Sequence, residues 1–172
     1  IIKDLLAGDH IEDRRKVLKC TVGDKSYIAL NECMVTKRRP TRMIRFEVFV
    51  DGHFLYEQTA DGLIIATPTG SSAYSLSSGG QLIHPQVEAI TLVPVSPSRL
   101  TSCPIVIPDT SAVEVIAHPW KNSEPTFSYD AQEISTLEPF SRLKVEVDKK
   151  TVTLLHPKHH DYYTTLQNKL GW

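Results

Sequence analysis

The chain has 172 residues, of which 41% are hydrophobic and 23% charged, and its formal net charge is -1 at pH 7. These values are typical of one soluble globular domain and argue against intrinsic disorder. The near-neutral charge gives no general attraction to nucleic acid or to an anionic membrane, so we expect neither as a partner.

The first residues carry a helical pattern of apolar side chains, at Ile1, Ile2, Leu5 and Leu6. We predict a helical stub over residues 1–12 that continues from a preceding domain. The start has acids where a signal peptide has basic residues, and no apolar run reaches the length of a membrane span. Three cysteines without a Cys-x-x-Cys spacing fit a reducing compartment, so we expect a cytoplasmic protein.

Short strand patterns fill residues 13–155, and we predict a β-rich, sandwich-like domain there. Gly23 and Gly52 lie in Gly-Asp and Asp-Gly turns that supply the positive φ of hairpins. We predict a further turn at Asp130-Ala131-Gln132, and a last hairpin in which Lys149-Lys150 joins two strands. The tail, residues 156–172, predicts a helix with Asp161 as N-cap and Gly171 as stop.

One segment, "ADGLIIATPTGSSAYSLSSGG" from Ala60 to Gly80, runs from a buried strand into a loop rich in small hydroxyls. Gly70 permits close backbone approach, and Tyr74 offers a flat ring with a polar tip, a combination that suits a base and a sugar. A Ser/Thr turn followed by a short helix explains the segment equally well. It matches neither the G-x-S-x-G of hydrolases nor a phosphate-binding loop, because no lysine follows Gly70.

A second polar feature, Asn31-Glu32, interrupts a run that otherwise favours a strand. If the pair is buried it needs partners, and the vicinal hydroxyls of a ribose are one possibility. Taken alone, the pair is better explained as a strand end at a water-exposed sheet edge.

Two charged clusters have ordinary explanations. The basic run Lys37 to Arg39 could meet a pyrophosphate, but a solvated loop is favoured. His156, His159, His160 and Asp161 lie close in sequence, yet Pro157 and the change from strand to helix disfavour converging zinc ligands. We therefore predict no metal ligands in this chain.

The segments "NE" at Asn31-Glu32, Ala60 to Pro85, Ala89 to Pro97, "SYDAQ" at Ser128 to Gln132 and the ending "LQNKLGW" together resemble the C-terminal domain of bacterial NAD kinases. The resemblance implies ATP-dependent phosphorylation of the adenosine ribose 2'-hydroxyl of NAD to give NADP, with a divalent metal such as magnesium. It also implies a mainly β fold, a β-sandwich-like domain with short N- and C-terminal helices, and assembly into a homodimer or homotetramer. Such kinases carry an α/β N-terminal domain whose "GGDG" motif holds the catalytic base. No "GGDG" occurs in these 172 residues, so we expect the α/β domain to be absent and the chain alone to be inactive.

The resemblance also implies roles for single residues. Asn31 and Glu32 would hold ribose hydroxyls, and Asp61 would accept from an amide or amine of the ligand. The remaining implied contacts are Ser72, Ala73, Tyr74, Ser75, Leu76, Ser77 and Gln132, with Arg42, Thr59 and Ser96 in less distinctive surroundings. The family usually has threonine where Ser72 stands, and serine keeps the hydroxyl. The alternative is a non-catalytic β-sandwich module for nucleotide binding or assembly.

Overall fold

A computed structural model describes residues 6–118 and 124–172, and they form two antiparallel sheets of six strands each. The strands in chain order are β1 His10–Val22, β2 Lys25–Ala29, β3 Glu32–Lys37, β4 Ile44–Val50, β5 His53–Ala60, β6 Gly62–Ala66, β7 Ala89–Val95, β8 Ile105–Pro108, β9 Val113–His118, β10 Pro125–Tyr129, β11 Gln132–Thr136 and β12 Arg142–Pro157. The first sheet has the order β2-β1-β12-β9-β4-β5, and the second has the order β11-β10-β3-β6-β7-β8. The prediction of a mainly β, sandwich-like fold is confirmed.

Helices are few and short. A 3-10 turn at Gly70–Ser72 leads into α1, Tyr74–Ser77, and α2 spans Tyr162–Leu170. The helix expected after the Thr-Pro-Thr-Gly loop is therefore confirmed. Over the described ranges, no helix has the length and apolar character needed to cross a bilayer.

Apolar side chains from both sheets meet in one core within residues 16–151. Strand β4 shows why, because Ile44, Phe46 and Val48 are buried and alternate with the more exposed Arg45 and Glu47. Strand β6 is buried at every residue, since a second cluster of Ile64, Ala66 and Val93 lies on its other face. The loop after β6 therefore starts from an interior strand that is packed on both faces.

The chain divides into two compact units, residues 16–151 and a unit made of the terminal segments 1–15 and 152–172. In the terminal unit the Asp161 carboxylate caps α2 by accepting from the Thr164 amide at 2.7 Å, and Gly171 ends the helix with φ 71°. Both predictions for this helix are confirmed. Residues 1–5 of the predicted helical stub lie outside the described residues, and β1 already begins at His10.

Two local predictions are corrected by the structure. The hairpin at Lys149-Lys150 is wrong, because Arg142–Pro157 is a single strand. A two-residue hairpin turn needs positive φ at its centre, and lysine supplies it poorly. The run after Gly23-Asp24 is also not one strand, since β2 ends at Ala29 and β3 starts at Glu32 in the other sheet.

The loop after β6 packs directly on this break between β2 and β3. A β-carbon built on Gly70 would lie 2.1 Å from the carbonyl oxygen of Asn31. Only glycine permits this approach of two backbones.

We predict that Phe46→Ala lowers the free energy of unfolding by about 3–5 kcal/mol, because the side chain is completely buried and leaves a cavity. Phe54→Ala is the matched control. Phe54 is 59% exposed, so its loss should cost less than about 1 kcal/mol. Urea titrations followed by far-ultraviolet circular dichroism measure both values, and equal losses would contradict the assigned core.

We predict that Gly70→Ala destabilises the chain by about 1–3 kcal/mol more than Gly23→Ala. At Gly23 an added β-carbon meets nothing within 4 Å, and alanine costs only the strain of its positive φ. At Gly70 it meets backbone that cannot rotate away. The same urea titrations measure the difference, and a milder loss at Gly70 would show that the two segments are not in contact.

Candidate functional site

The residues implied for the site form two groups at opposite ends of β3 and β6. These strands are antiparallel, with Glu32 opposite Ala66 and Thr36 opposite Gly62. Asn31, Glu32 and the helical segment after β6 therefore share one end, and Asp61 lies at the other. At about 3.3 Å per residue, the five residues of β6 separate the groups by roughly 15 Å.

The first group is built around the carboxylate of Asp130. Its oxygens accept from three consecutive backbone amides, at 2.7 Å from Leu30, 2.8 Å from Asn31 and 3.2 Å from Glu32. The Asp130 amide donates in return to the Glu32 carbonyl at 3.0 Å. Because these bonds replace a strand ladder, they fix the chain where it leaves one sheet and enters the other.

The loop after β6 holds the same corner from the carbonyl side. The Thr67 hydroxyl donates to the Leu30 carbonyl at 2.7 Å and to the Asn31 carbonyl at 3.2 Å, and accepts from the Gly70 amide at 3.1 Å. The Thr67 amide donates to the Asn31 carbonyl at 2.9 Å. Thr67 is completely buried, so its hydroxyl is a structural group rather than a ligand contact.

The side chain of Glu32 is buried, with 6% of its surface exposed. Its Oε2 atom has no hydrogen-bond partner among the residues that the structure describes. Burial raises the pKa of this carboxyl, and the nearby negative charge of Asp130 raises it further. The interpretation of Asn31-Glu32 as a strand end at a water-exposed sheet edge is therefore wrong. Strand β3 is an interior strand, and its first residue, Glu32, is buried.

The segment Ser72 to Ser77 lies beside this corner and presents some of its side chains outward. Tyr74 and Ser77 are exposed, and Ser72, Ala73 and Leu76 are half-buried. Ser75 is completely buried instead and faces Gly80, where a β-carbon would lie 2.4 Å from its Oγ. Five of the six implied residues are thus reachable from solvent, and Ser75 points inward.

Gln132 joins the first group through a two-residue turn. Asp130 and Ala131 have φ of 41° and 63°, and Gln132 then starts β11 opposite Tyr129. The predicted turn is present, and the side chain of Gln132 is exposed. The turn ties Gln132 to the Asn31-Glu32 corner, because both depend on Asp130.

The second group surrounds Asp61, whose carboxylate pairs with the Lys37 ammonium at 2.6 Å. Lys37 also donates to the Pro40 carbonyl at 2.7 Å. Thr59 lies two residues before Asp61, and both residues bond to the segment that ends β7. The Thr59 carbonyl accepts from the Ser98 amide at 3.0 Å, and the Asp61 amide donates to the Val95 carbonyl at 2.9 Å.

Ser96 and Arg42 flank the second group from two loops. Ser96 directly follows Val95, whose carbonyl accepts the hydrogen bond from the Asp61 amide. Its side chain is exposed, and its backbone has a positive φ of 44°. Arg42 is exposed, and its amide closes a turn on the Arg39 carbonyl at 3.2 Å. Arg38 and Arg39 both pair with Glu124, at 3.6 Å and 2.7 Å, so acids offset part of the charge of the basic run predicted as a solvated loop.

No group of three or more His, Cys, Asp or Glu side chains within residues 6–118 and 124–172 is arranged to hold a metal ion. His156 stacks on His160 at 3.9 Å and lies 3.3 Å from Asp13, which is a pairing and not a ligand set. The part of the chain that the structure describes therefore offers no cluster of ligands for magnesium.

Sequence reasoning missed two residues on which the site depends. Asp130 was visible only as a turn residue, and its partners lie 98 to 100 positions away. Thr67 belongs to the loop rich in small hydroxyls, and nothing in the sequence marks its hydroxyl as one that bonds internally.

Comparison with known proteins identifies the family of the chain. Residues 30–156 match the ATP-NAD kinase C-terminal domain family. The chain is 39% identical to an NAD kinase of Marinobacter nauticus, over 98% of this chain and 59% of that protein. It is 45% identical to an NAD kinase of Chromohalobacter salexigens, over 83% of this chain and 49% of that protein. The chain thus spans about three fifths of the length of the first of these relatives and half of the second.

Two solved structures share the fold. The crystal structure of yeast NADH kinase complexed with NADH superimposes with a TM-score of 0.91 at 24% identity, over 99% of this chain and 53% of that one. An NAD kinase from Archaeoglobus fulgidus in complex with ATP superimposes with a TM-score of 0.82 at 26% identity, over 99% of this chain and 64% of that one. From the family match and these relatives, the chain belongs to the NAD kinase family and corresponds to its C-terminal domain.

Proposed function

We propose that this chain is the NAD-binding part of an enzyme that phosphorylates the adenosine ribose 2'-hydroxyl of NAD, with ATP as donor, to give NADP. The observation that carries the proposal is the Asn31-Glu32 corner, in which a buried carboxylate oxygen has no hydrogen-bond partner among the described residues. A ribose hydroxyl donates to such an oxygen without bringing a competing charge. The segment Ser72 to Ser77 and Gln132 would then line the dinucleotide.

The charge of the corner favours the substrate over the product. Glu32 and Asp130 place two carboxylates there, and no cation forms an ion pair with either of them within residues 6–118 and 124–172. A phosphate on the ribose would meet like charge, whereas a free hydroxyl finds an acceptor. The site therefore holds the acceptor and disfavours the phosphorylated nucleotide.

Catalysis itself needs groups that these residues do not supply. Phosphoryl transfer depends on positioning and on offsetting the charge of the transferred group. In our proposal this chain orients the acceptor ribose, while the catalytic base and the site for ATP and magnesium belong to the part of the relatives' length that it does not span. The proposed organisation is a stub at 1–12, the NAD-binding domain at 13–155 and a helical tail at 156–172.

We further propose a cytoplasmic homodimer or homotetramer. All three cysteines are free thiols, which supports a reducing compartment. The separation of the Asp61 group from the Asn31-Glu32 corner supports an assembly in which the Asp61 group of a second copy completes the dinucleotide site.

For NAD binding we predict a rise in melting temperature of the chain with added NAD, and most of this rise should be lost in Glu32→Gln.

In the folded state the raised pKa means that Glu32 holds its proton more tightly than in the unfolded state. Stability is therefore lost as the pH rises from the ordinary pKa of a glutamate to the raised pKa of Glu32 in the folded state, because the buried side chain must then carry a charge. Ligand-free Glu32→Gln should accordingly melt higher than the unsubstituted chain at pH 8, and no higher at pH 4.

Turnover separates the enzyme from the alternative, a non-catalytic binding module. With ATP, magnesium and NAD, a protein that adds the remaining part of the family's length should form NADP, and the chain alone should form none. NADP from the chain alone would refute the placement of the catalytic base. No NADP from the longer protein, with NAD binding retained, would favour the module.

For the assembly we predict a mass by light scattering of at least twice the 19.3 kDa of one chain. If Glu32 and Asp61 of different copies share a site, mixing Glu32→Gln chains with Asp61→Asn chains should restore part of the NAD binding that each variant loses. A mixed dimer then contains one site with both carboxylates intact. A monomeric mass, or no restoration in mixed oligomers, would contradict the shared site.

A further inference from the structure

We propose that Asp130 is a positioning residue for nucleotide recognition, which acts by holding the Asn31-Glu32 backbone in the conformation that binds the ribose. This inference rests on the proposed function, because it assigns the ligand to that corner. Asp130 itself would not touch the ligand. Its carboxylate is committed to the amides of Leu30, Asn31 and Glu32.

Three consecutive amides that point at one place form a concave anion site, of the kind that binds phosphate or carboxylate in many proteins. Here the chain fills that site with its own carboxylate. Leu30 and Asn31 lie between β2 and β3, outside either strand, so their amides have no ladder partner to fall back on. Removing the carboxylate would leave these amides to water and release the corner.

The turn that carries Asp130 has a strained backbone. Asp130 and Ala131 both adopt left-handed backbone, at φ 41° and 63°. Glycine is the usual residue there, and alanine has no side-chain oxygen to compensate. The chain thus keeps a strained turn at the point where it delivers a carboxylate to a corner 98 to 100 residues away.

Glu32 shows what this positioning provides. Its side chain is buried beside another carboxylate, an arrangement that a mobile backbone would avoid by turning Glu32 into water. Asp130 accepts hydrogen bonds from the amides of this backbone, and Thr67 donates to its carbonyls. These bonds prevent Glu32 from rotating into water. A ligand then finds Glu32 already in place and does not have to order it.

The test compares NAD affinity with stability in the whole chain. Asp130→Asn keeps the shape but replaces one acceptor oxygen by an amino group, so it cannot accept from all three amides. We expect calorimetric titration to show NAD binding weakened about tenfold or more, since charge-assisted hydrogen bonds are lost. Amide hydrogen exchange at Leu30, Asn31 and Glu32 should quicken in the same variant.

Two controls separate positioning from general loss of stability. Val145→Ala removes a buried core side chain of β12, so it should lower the melting temperature without changing NAD affinity. Ala131→Gly relaxes the same turn and keeps the carboxylate, so it too should bind NAD as the unsubstituted chain does. In Asp130→Gly, added acetate should partly restore NAD affinity by entering the vacated amide site.

Each outcome has a distinct meaning. If Asp130→Asn binds NAD as well as the unsubstituted chain, the inference is overturned and the proposed function stands. If Val145→Ala weakens NAD binding as much as Asp130→Asn at the same loss of melting temperature, the inference is overturned as well. If the unsubstituted chain does not bind NAD, the proposed function fails and this inference fails with it.

Discussion

The structure of the site depends on how the chain satisfies three backbone amides where it changes sheets. Between Ala29 and Glu32 the chain passes from β2 of one sheet to β3 of the other, so neither ladder can pair all of the amides there. A buried amide without a partner is costly, and a carboxylate is the strongest acceptor that the chain can offer. Asp130 meets that need, and the two-residue turn of β10 and β11 exists at the position that lets it do so.

The corner is stable only because its two sides are held by different kinds of contact. On the carbonyl side, Thr67 donates a hydroxyl and an amide, and the backbone of Gly70 packs directly on Asn31. This explains the composition of the Thr-Pro-Thr-Gly loop better than ligand contact does. Its first threonine and its glycine serve the corner, whereas the exposed side chains of the segment, Tyr74 and Ser77, follow the glycine by four and seven residues.

Local rules recovered much of the fold and little of the site's construction. The hairpin at Asp51-Gly52 and the cap at Asp161 followed from residues within four positions of each other, and both are present. The predicted hairpin at Lys149-Lys150 is absent because a two-residue turn needs positive φ, which lysine adopts poorly. The break at Leu30-Asn31 and the burial of Glu32 depend on Asp130, a partner about a hundred residues away, and no local pattern records such a contact.

The two carboxylates that the family resemblance assigns to one site, Glu32 and Asp61, differ in their electrostatic surroundings. Asp61 already has a cation, because the Lys37 ammonium lies 2.6 Å away, so the pair presents little net charge. Glu32 has no such partner in the described part of the chain and lies beside a second carboxylate, so its charged form presents a negative field in a buried place. A neutralised carboxylate can accept a hydrogen bond from an amide whatever else the ligand carries, but it cannot repel a phosphate. In the proposed function, discrimination between a ribose with a free hydroxyl and one with a phosphate would therefore rest on Glu32 and on the backbone that keeps it buried, while Asp61 would contribute to holding either nucleotide.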